Sequence, residues 1–225
     1  LVGDSLGDNI LGQGNTAAVT LDEMIPFVRA VTGATSRAFV IADLPFGTYE
    51  VGPEQAVASS IRLVKEGGAH AVKFEGGRRV AAQAKAVVDA GIPFCGHLGF
   101  TPQSENMLGG HRVQGRGDGA YETMLADALA LQEAGAFMVV FEMVIEPVAT
   151  KLTKALDVPT IGIGSGPGTD GQVLVWLDMA GMGDWSPSFA KRYAEIGKAL
   201  GKAASSYISE VKGGAFPDAG HYFSE

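Results

Sequence analysis

Residues 67–77 read Gly-Gly-Ala-His-Ala-Val-Lys-Phe-Glu-Gly-Gly. A pair of glycines bounds the run on either side. Between them Ala69–Phe74 is apolar, short and bounded by turn formers, the pattern of a buried strand. Upstream, Pro53 suits a first helical position, and Ala56, Val57, Ile61 and Val64 form one stripe that Gly67–Gly68 ends. Downstream, Arg79 to Ala90 reads as a helix stopping at Gly91, and Ile92–Cys95 is the next apolar run. Helix, strand, helix, strand in this order predicts parallel strands joined by right-handed crossovers.

The alternation extends in both directions. Leu1–Val2, Ala38–Ala42, Ala136–Phe141, Thr160–Ile163 and Val173–Trp176 read as further strands. Thr20 with Glu23 forms a capping box for a helix that carries Ile25, Val28 and Val31 on one face. Tyr121–Ala134 and Pro147–Leu156 read as helices. Ser186 then Pro187 opens a long one, with a stripe of Phe189, Tyr193, Ile196, Leu200, Tyr207, Ile208 and Val211. An eight-stranded α/β barrel usually needs about 250 residues. The 225 residues here are therefore expected to form a (β/α)8 TIM barrel lacking its first strand and helix, as a single domain over 1–225.

Composition removes several function classes. There are 17 Lys+Arg against 25 Asp+Glu, a net charge of −8, which argues against a broad nucleic-acid or anionic-membrane surface. Hydrophobic residues make up 46% and charged ones 19%, which excludes disorder as the main state. No apolar run approaches the roughly 18–20 residues that span a bilayer, and no signal-peptide pattern is visible. Cys95 is the single cysteine and cannot form an internal disulfide, so a cytoplasmic location is expected.

The strand ends carry the chemistry. The first ends at Asp4–Ser5, the second at Asp43, the third at Lys73-x-Glu75, the fourth at Gly96–His97 and the fifth at Glu142. Residues i and i+2 of a strand share a face, so Lys73 and Glu75 point the same way. In a closed barrel these ends converge at the carboxyl-end mouth. Two like charges about 4 Å apart cost on the order of 4 kcal/mol at an effective dielectric of 20, and a cation relieves that repulsion. Oxygen donors without a Cys or His cluster favour Mg²⁺ over Zn²⁺. Taken singly, such acids cap loops and helices; taken together with Lys73 and His97, they mark a site. Other motifs carry less. Gly166-Pro-Gly-Thr-Asp-Gly171 matches the spacing of a dinucleotide loop, but an apolar run comes next instead of a helix, so it reads as a turn. Arg116-Gly-Asp118 reads as a loop and Gly109-Gly-His-Arg112 as solvent-exposed polar residues. Cys95, Met138 and Met143 read as packing.

Six ordered segments resemble one family. They are Leu1-Val-Gly-Asp-Ser-Leu-Gly7, Ala42-Asp-Leu-Pro-Phe46, Val72-Lys-Phe-Glu-Gly-Gly77, Gly96-His-Leu-Gly-Phe-Thr-Pro-Gln-Ser104, Val113-Gln-Gly-Arg-Gly-Asp118, and Gly162-Ile-Gly-Ser-Gly166 with Thr169-Asp-Gly-Gln172. They resemble the ketopantoate hydroxymethyltransferases (3-methyl-2-oxobutanoate hydroxymethyltransferases) of pantothenate biosynthesis. The likeness runs to Gly-Ala-Phe-Pro217 and His221. It implies a (β/α)8 barrel assembled as a homodecamer, Mg²⁺, the keto acid α-ketoisovalerate as substrate and methylenetetrahydrofolate as one-carbon donor. It implies Asp4, Asp43 and Glu75 as the metal site, and Asp4, Ser5, Asp43, Lys73 and His97 as substrate contacts. Glu142 matches the family's proton acceptor, with help in opening the folate donor as its alternative role. Family members carry a leading strand and helix before the Gly-Asp-Ser segment.

Two rival readings stay open at this point. One is an enol-forming barrel enzyme resembling the phosphoenolpyruvate mutase and isocitrate lyase group, which uses Mg²⁺ and a keto acid without folate. Its mark is a reactive Cys in a mobile loop, whereas Cys95 sits mid-strand. The other is a barrel that binds the metabolite without turning it over.

Overall fold

A strand that is apolar along its whole length must be covered on both faces, and here helices supply the cover. The computed structural model describes residues 1–225, which divide into two units, Leu1–Val173 and Leu174–Glu225. The first unit holds six parallel strands: β1 (Ile41–Asp43), β2 (Ala71–Glu75), β3 (Phe94–Gly99), β4 (Met138–Glu142), β5 (Thr160–Ile163) and β6 (Gly171–Gln172). They lie side by side in sequence order, and a single parallel bridge from Val2 to Ala42 extends that order by one place. An order without reversal is that of a barrel rather than of a doubly wound sheet, whose order turns back at a switch point. The hydrogen-bonded ladder runs from Val2 to β6 and joins its neighbours only; a complete eight-stranded ring is not formed by these residues.

The helices of this unit are α1 (Leu21–Ala34), α2 (Pro53–Gly67), α3 (Ala81–Asp89), the single turn α4 (Glu105–Leu108), α5 (Ala120–Glu133) and α6 (Glu146–Ala155). The expected signals set several ends. The Thr20 hydroxyl accepts from Glu23 N–H at 3.2 Å, and the Glu23 carboxylate accepts from Thr20 N–H at 2.8 Å, so two orphan donors of α1 are satisfied at once. Pro53 opens α2, and Gly68 closes it in the left-handed conformation at φ +77°.

Strand alternation sorts side chains into two sets. Phe74 and Phe94 lie between the sheet and its helices with ring centroids 4.2 Å apart, joined by Leu63, Leu131, Phe141 and Leu152, all fully buried. Each such side chain contributes about 1.5–3 kcal/mol by leaving water. A Cβ on Gly96 would lie 2.6 Å from Leu131 Cδ1, so the absence of a side chain there lets α5 rest directly on β3. The opposite set, pointing inward, carries the charges.

Four expectations are corrected. The run Leu1–Val2 forms one bridge and no strand. Residues 78–80 form a separate turn ahead of α3, held because the Arg78 N–H and guanidinium both reach Asp127 Oδ1. Val173–Trp176 is no strand. The pairing starts two residues earlier because the Asp170 carboxylate accepts from Thr160 N–H at 2.8 Å and sets Gly171 opposite Ile161. The long helix does not open at Ser186–Pro187. Pro187 starts only a turn closed by Ala190 N–H, and Tyr193 N–H bonds to the Met179 carbonyl instead of entering a helix.

The second unit therefore contains α7 (Trp176–Ala180) and α8 (Ile196–Gly213). The expected stripe of α8 is present, but Ile196, Leu200, Tyr207, Ile208 and Val211 are exposed rather than packed. No helix is long and apolar enough to cross a membrane.

The capping box makes a local prediction. Thr20→Ala should lower stability by about 1 kcal/mol, read as a shifted urea midpoint with an unchanged slope; an unshifted midpoint removes the cap's contribution.

Candidate functional site

Strand register brings the polar strand ends together. Asp43 on β1 stands opposite Lys73 on β2, and Glu75 opposite His97 on β3. Gly99 stands opposite Glu142 at the end of β4. Asp4 lies just past the Val2 bridge and donates its N–H to Asp43 Oδ2 at 3.2 Å. Asp4, Asp43, Lys73, Glu75 and His97 are each 5% exposed or less, and Glu142 is half-buried. The exception among the expected residues is Ser5. It is half-buried beside Asp4, but its side chain bonds to no member of the cluster.

Charges in such a place must find partners. Lys73 Nζ lies 2.9 Å from Asp43 Oδ1 and 3.4 Å from His97 Nδ1. His97 Nε2 lies 3.1 Å from Glu142 Oε2. A neutral imidazole with its proton on Nε2 fits these distances, accepting from Lys73 and turned toward Glu142, although the Nε2–H is not aligned as a hydrogen bond. Glu75 Oε1 is farther from His97 Nδ1, at 3.7 Å. Gln103, in the loop after β3, reaches this group too. Its Nε2 donates to Asp4 Oδ2 at 2.7 Å and to the Leu44 carbonyl at 2.9 Å, and its N–H donates to Glu75 Oε2 at 3.1 Å. The Tyr49 hydroxyl donates to Gln103 Oε1 and accepts from Glu75 N–H.

Proton affinities are set by burial and crowding. Burial, then the neighbouring Asp43 charge, pushes the Asp4 carboxyl up to about 7. Burial and then Asp4 raise Glu75 well above the ordinary range. For Lys73 burial opposes the charged form, but Asp43, Asp4 and Glu75 outweigh it and the ammonium is held more firmly than usual. His97 moves down, first by burial and then by Lys73, consistent with the neutral ring. Burial pushes the Cys95 thiol up to about 12, which leaves it a core residue and no nucleophile.

No three Asp, Glu, His or Cys side chains stand in ready-made metal-binding geometry; Gln103 hydrogen-bonds one oxygen each of Asp4 and Glu75. The donor set nevertheless fits a hard divalent cation. It consists of carboxylate oxygens, carries more negative than positive charge, and leaves Asp43 Oδ1 buried without an aligned hydrogen bond, although the Lys73 ammonium is close to it. A separate cavity of about 540 Å³ opens beside the strand ends, lined by Gly76, Gly77, Arg79, Leu98 and Met124 among others. It contains none of the charged cluster, since Leu98 points to the opposite face of β3 from His97.

Gln103 and Tyr49 were not among the residues expected from sequence. Gln103 falls in the segment Gly96–Ser104, whose Thr101-Pro102 turn just past a strand end is the signal that could have found it. Tyr49 has no such signal, because its burial is set by contacts distant in the chain.

Fold and charges define a class: an α/β protein whose buried ionic side chains gather at the carboxyl ends of a parallel sheet. Residues 1–219 match the family model described as Ketopantoate hydroxymethyltransferase. The 3-methyl-2-oxobutanoate hydroxymethyltransferase of Saccharopolyspora erythraea is 57% identical over 99% of this chain and 76% of its own length. That of Thermobifida fusca is 55% identical over 100% and 80%, and that of Mycobacterium tuberculosis is 55% identical over 99% and 79%. This chain belongs to the ketopantoate hydroxymethyltransferase family. Among solved structures, phosphonopyruvate hydrolase superposes with a TM-score of 0.56 at 11% identity, covering 99% of this chain and 78% of that one. Its complex with oxalate and Mg²⁺ gives 0.55 at 14% identity, over 97% and 80%. At such identities the likeness is one of fold.

The raised acids give stability a definite pH slope in metal-free protein. Between the ordinary Asp value of 3.8 and about 7 the native state keeps a proton on Asp4 that the unfolded chain has lost. Stability from this group is therefore present at low pH and lost as pH rises through 7. His97 acts in the opposite sense, but only up to its ordinary value of 6.5. In EDTA the urea midpoint should fall from pH 6.5 to 8, and Asp4→Asn should lessen the fall. A midpoint that rises over this window contradicts the assignment.

Proposed function

We propose that this chain transfers a hydroxymethyl unit from methylenetetrahydrofolate to α-ketoisovalerate, through an enolate, giving ketopantoate. The observation that carries the proposal is the meeting of Asp4, Asp43, Lys73, Glu75, His97 and Glu142 in one cluster within a chain of this family. Asp4, Asp43 and Glu75 are the residues that would hold Mg²⁺. When bound, the ion supplies positive charge that polarises the keto group and steadies negative charge on its oxygen. The reading extends to a single barrel domain over 1–225, a cytoplasmic homo-oligomer (a decamer by family resemblance), and no role for nucleic acid or membrane.

The chain's own residues divide the remaining work. Lys73, kept charged by the acids around it, places a cation where enolate charge develops. The Ser5 backbone N–H and hydroxyl orient the substrate carboxylate, an arrangement that converts binding into alignment. Glu142 takes the proton from the carbon beside the ketone. Its carboxylate meets His97 Nε2 at 3.1 Å, and the Lys73 ammonium on the far side of the ring disfavours a second proton on His97. The imidazole thus steadies Glu142 without competing for the proton it removes. Water adds to the methylene unit and the carbon–nitrogen bonds break, so tetrahydrofolate leaves and the unit is released as formaldehyde. The carbon freed of its proton bonds to the formaldehyde carbon, and the formaldehyde oxygen takes up a proton to become the hydroxyl of ketopantoate.

Two measurements test this. Proton NMR of α-ketoisovalerate in D₂O should show methine exchange with protein and Mg²⁺ in the absence of folate. Glu142→Gln should slow that exchange by about 10²–10⁴-fold with an unchanged circular dichroism spectrum; undiminished exchange removes Glu142 from the role. Asp43→Ala should abolish the Mg²⁺ dependence of turnover, and an unaltered metal titration contradicts the proposed metal site.

A further inference from the structure

Gln103 holds an unusual position. It comes from the loop after β3, yet three of its atoms contact residues that converge from elsewhere. Its backbone N–H reaches Glu75 Oε2 at 3.1 Å. Its Nε2 reaches Asp4 Oδ2 at 2.7 Å and the Leu44 carbonyl at 2.9 Å, so both hydrogens of that nitrogen are used. Asp4 lies 99 residues away in the chain and Leu44 lies 59 away. Gln103 is itself buried.

An amide can be turned over, and a turned amide here would set its oxygen against a carboxylate and a carbonyl. Asp4 and Leu44 oppose that turn, and Tyr49 adds to the preference. Its hydroxyl oxygen accepts from Glu75 N–H at 3.3 Å, so its one proton is directed to Gln103 Oε1. Tyr49 is 1% exposed, and its ring packs on Phe74 with centroids 4.8 Å apart, while Gln83 Nε2 donates to its backbone carbonyl. This packing holds the hydroxyl oxygen in place, so a turned amide would also exchange the O–H···O bond from Tyr49 for a contact to an oxygen that already accepts from Glu75 N–H. Gln103 is thereby fixed with nitrogen toward Asp4 and oxygen toward Tyr49. One oxygen of Asp4 and one of Glu75 are engaged, and the second oxygen of each is left to other partners.

We infer that Tyr49 and Gln103 form a positioning pair, in which the tyrosine hydroxyl locks the amide and the amide aims the Asp4 and Glu75 carboxylates for a shared divalent cation. In this role both residues act through the carboxylates. The inference rests on the proposed metal site and adds to it the residues that preorganise it, since partners behind metal-binding groups commonly change affinity about 10–100-fold.

The test is Mn²⁺ binding by this chain, monitored by electron paramagnetic resonance without substrate or folate. Gln103→Leu should weaken Mn²⁺ binding by about 10–100-fold. Tyr49→Phe removes one oxygen and leaves the ring packing in place; it should weaken binding in the same direction by a smaller factor. The double variant should bind like Gln103→Leu alone, because a locking hydroxyl has nothing left to lock. Excess Mg²⁺ should restore kcat in Tyr49→Phe, a rescue that damaged packing would not give. Wild-type protein that binds no Mn²⁺ overturns the metal site and this inference with it. Wild-type binding matched by both single variants, or by Tyr49→Phe alone if Gln103→Leu does not fold, overturns only the inference. Effects that simply multiply in the double variant also overturn it.

Discussion

The pairing of Lys73 with Asp43 is the interaction on which the cluster depends. Both charges are buried, and the ammonium stands 2.9 Å from the carboxylate. Neither group could stay ionised alone in that setting. The arrangement is also unbalanced, since Asp4 and Glu75 add acid without adding a second cation in contact. Burial first, and then the neighbouring acids, raise the proton affinity of both; an excess of carboxylates of this kind is what a divalent ion would offset in the proposed function.

The sheet makes the imbalance tolerable by fixing who faces whom. Parallel register sets Asp43 beside Lys73 and Glu75 beside His97, while the alternate residues Phe74, Phe94 and Phe141 anchor the same strands to the helices. A slip of one residue would exchange the two sets and bury the aromatic rings where the charges now stand. Packing on the outer face therefore supports the electrostatics on the inner face. The loop after β3 completes the support, because Gln103 ties the ends of three different segments together.

Much of this was legible in the sequence because it obeys short-range rules. The capping box at Thr20 and the Gly67–Gly68 stop mark helix ends by local hydrogen bonding and local sterics. Strand alternation predicts that Lys73 and Glu75 share a face, and parallel order carries His97 and Glu142 to the same end. The illegible part is set by partners far along the chain. Asp170 fixes the register of β6 through Thr160, so an apolar run a few residues on looked like the strand. Ser186–Pro187 is a sound local start for a helix, but the Tyr193 N–H finds the Met179 carbonyl and the helix begins later. Tyr49 belongs to a loop with no period to read, and only the folded chain shows its hydroxyl placed against Gln103 and Glu75.

The contact between Gly96 and Leu131 has a consequence for descent. A side chain at that position would press on the Leu131 side chain of α5, so a larger residue there must displace it on the helix side of the strand. Its immediate neighbour His97 faces the ionic cluster. Two adjacent positions are thus held for unrelated reasons, one by lack of room and one by proton chemistry. If lineages of this enzyme keep both residues, invariance at the first records a helix lying close on a strand and says nothing of the reaction.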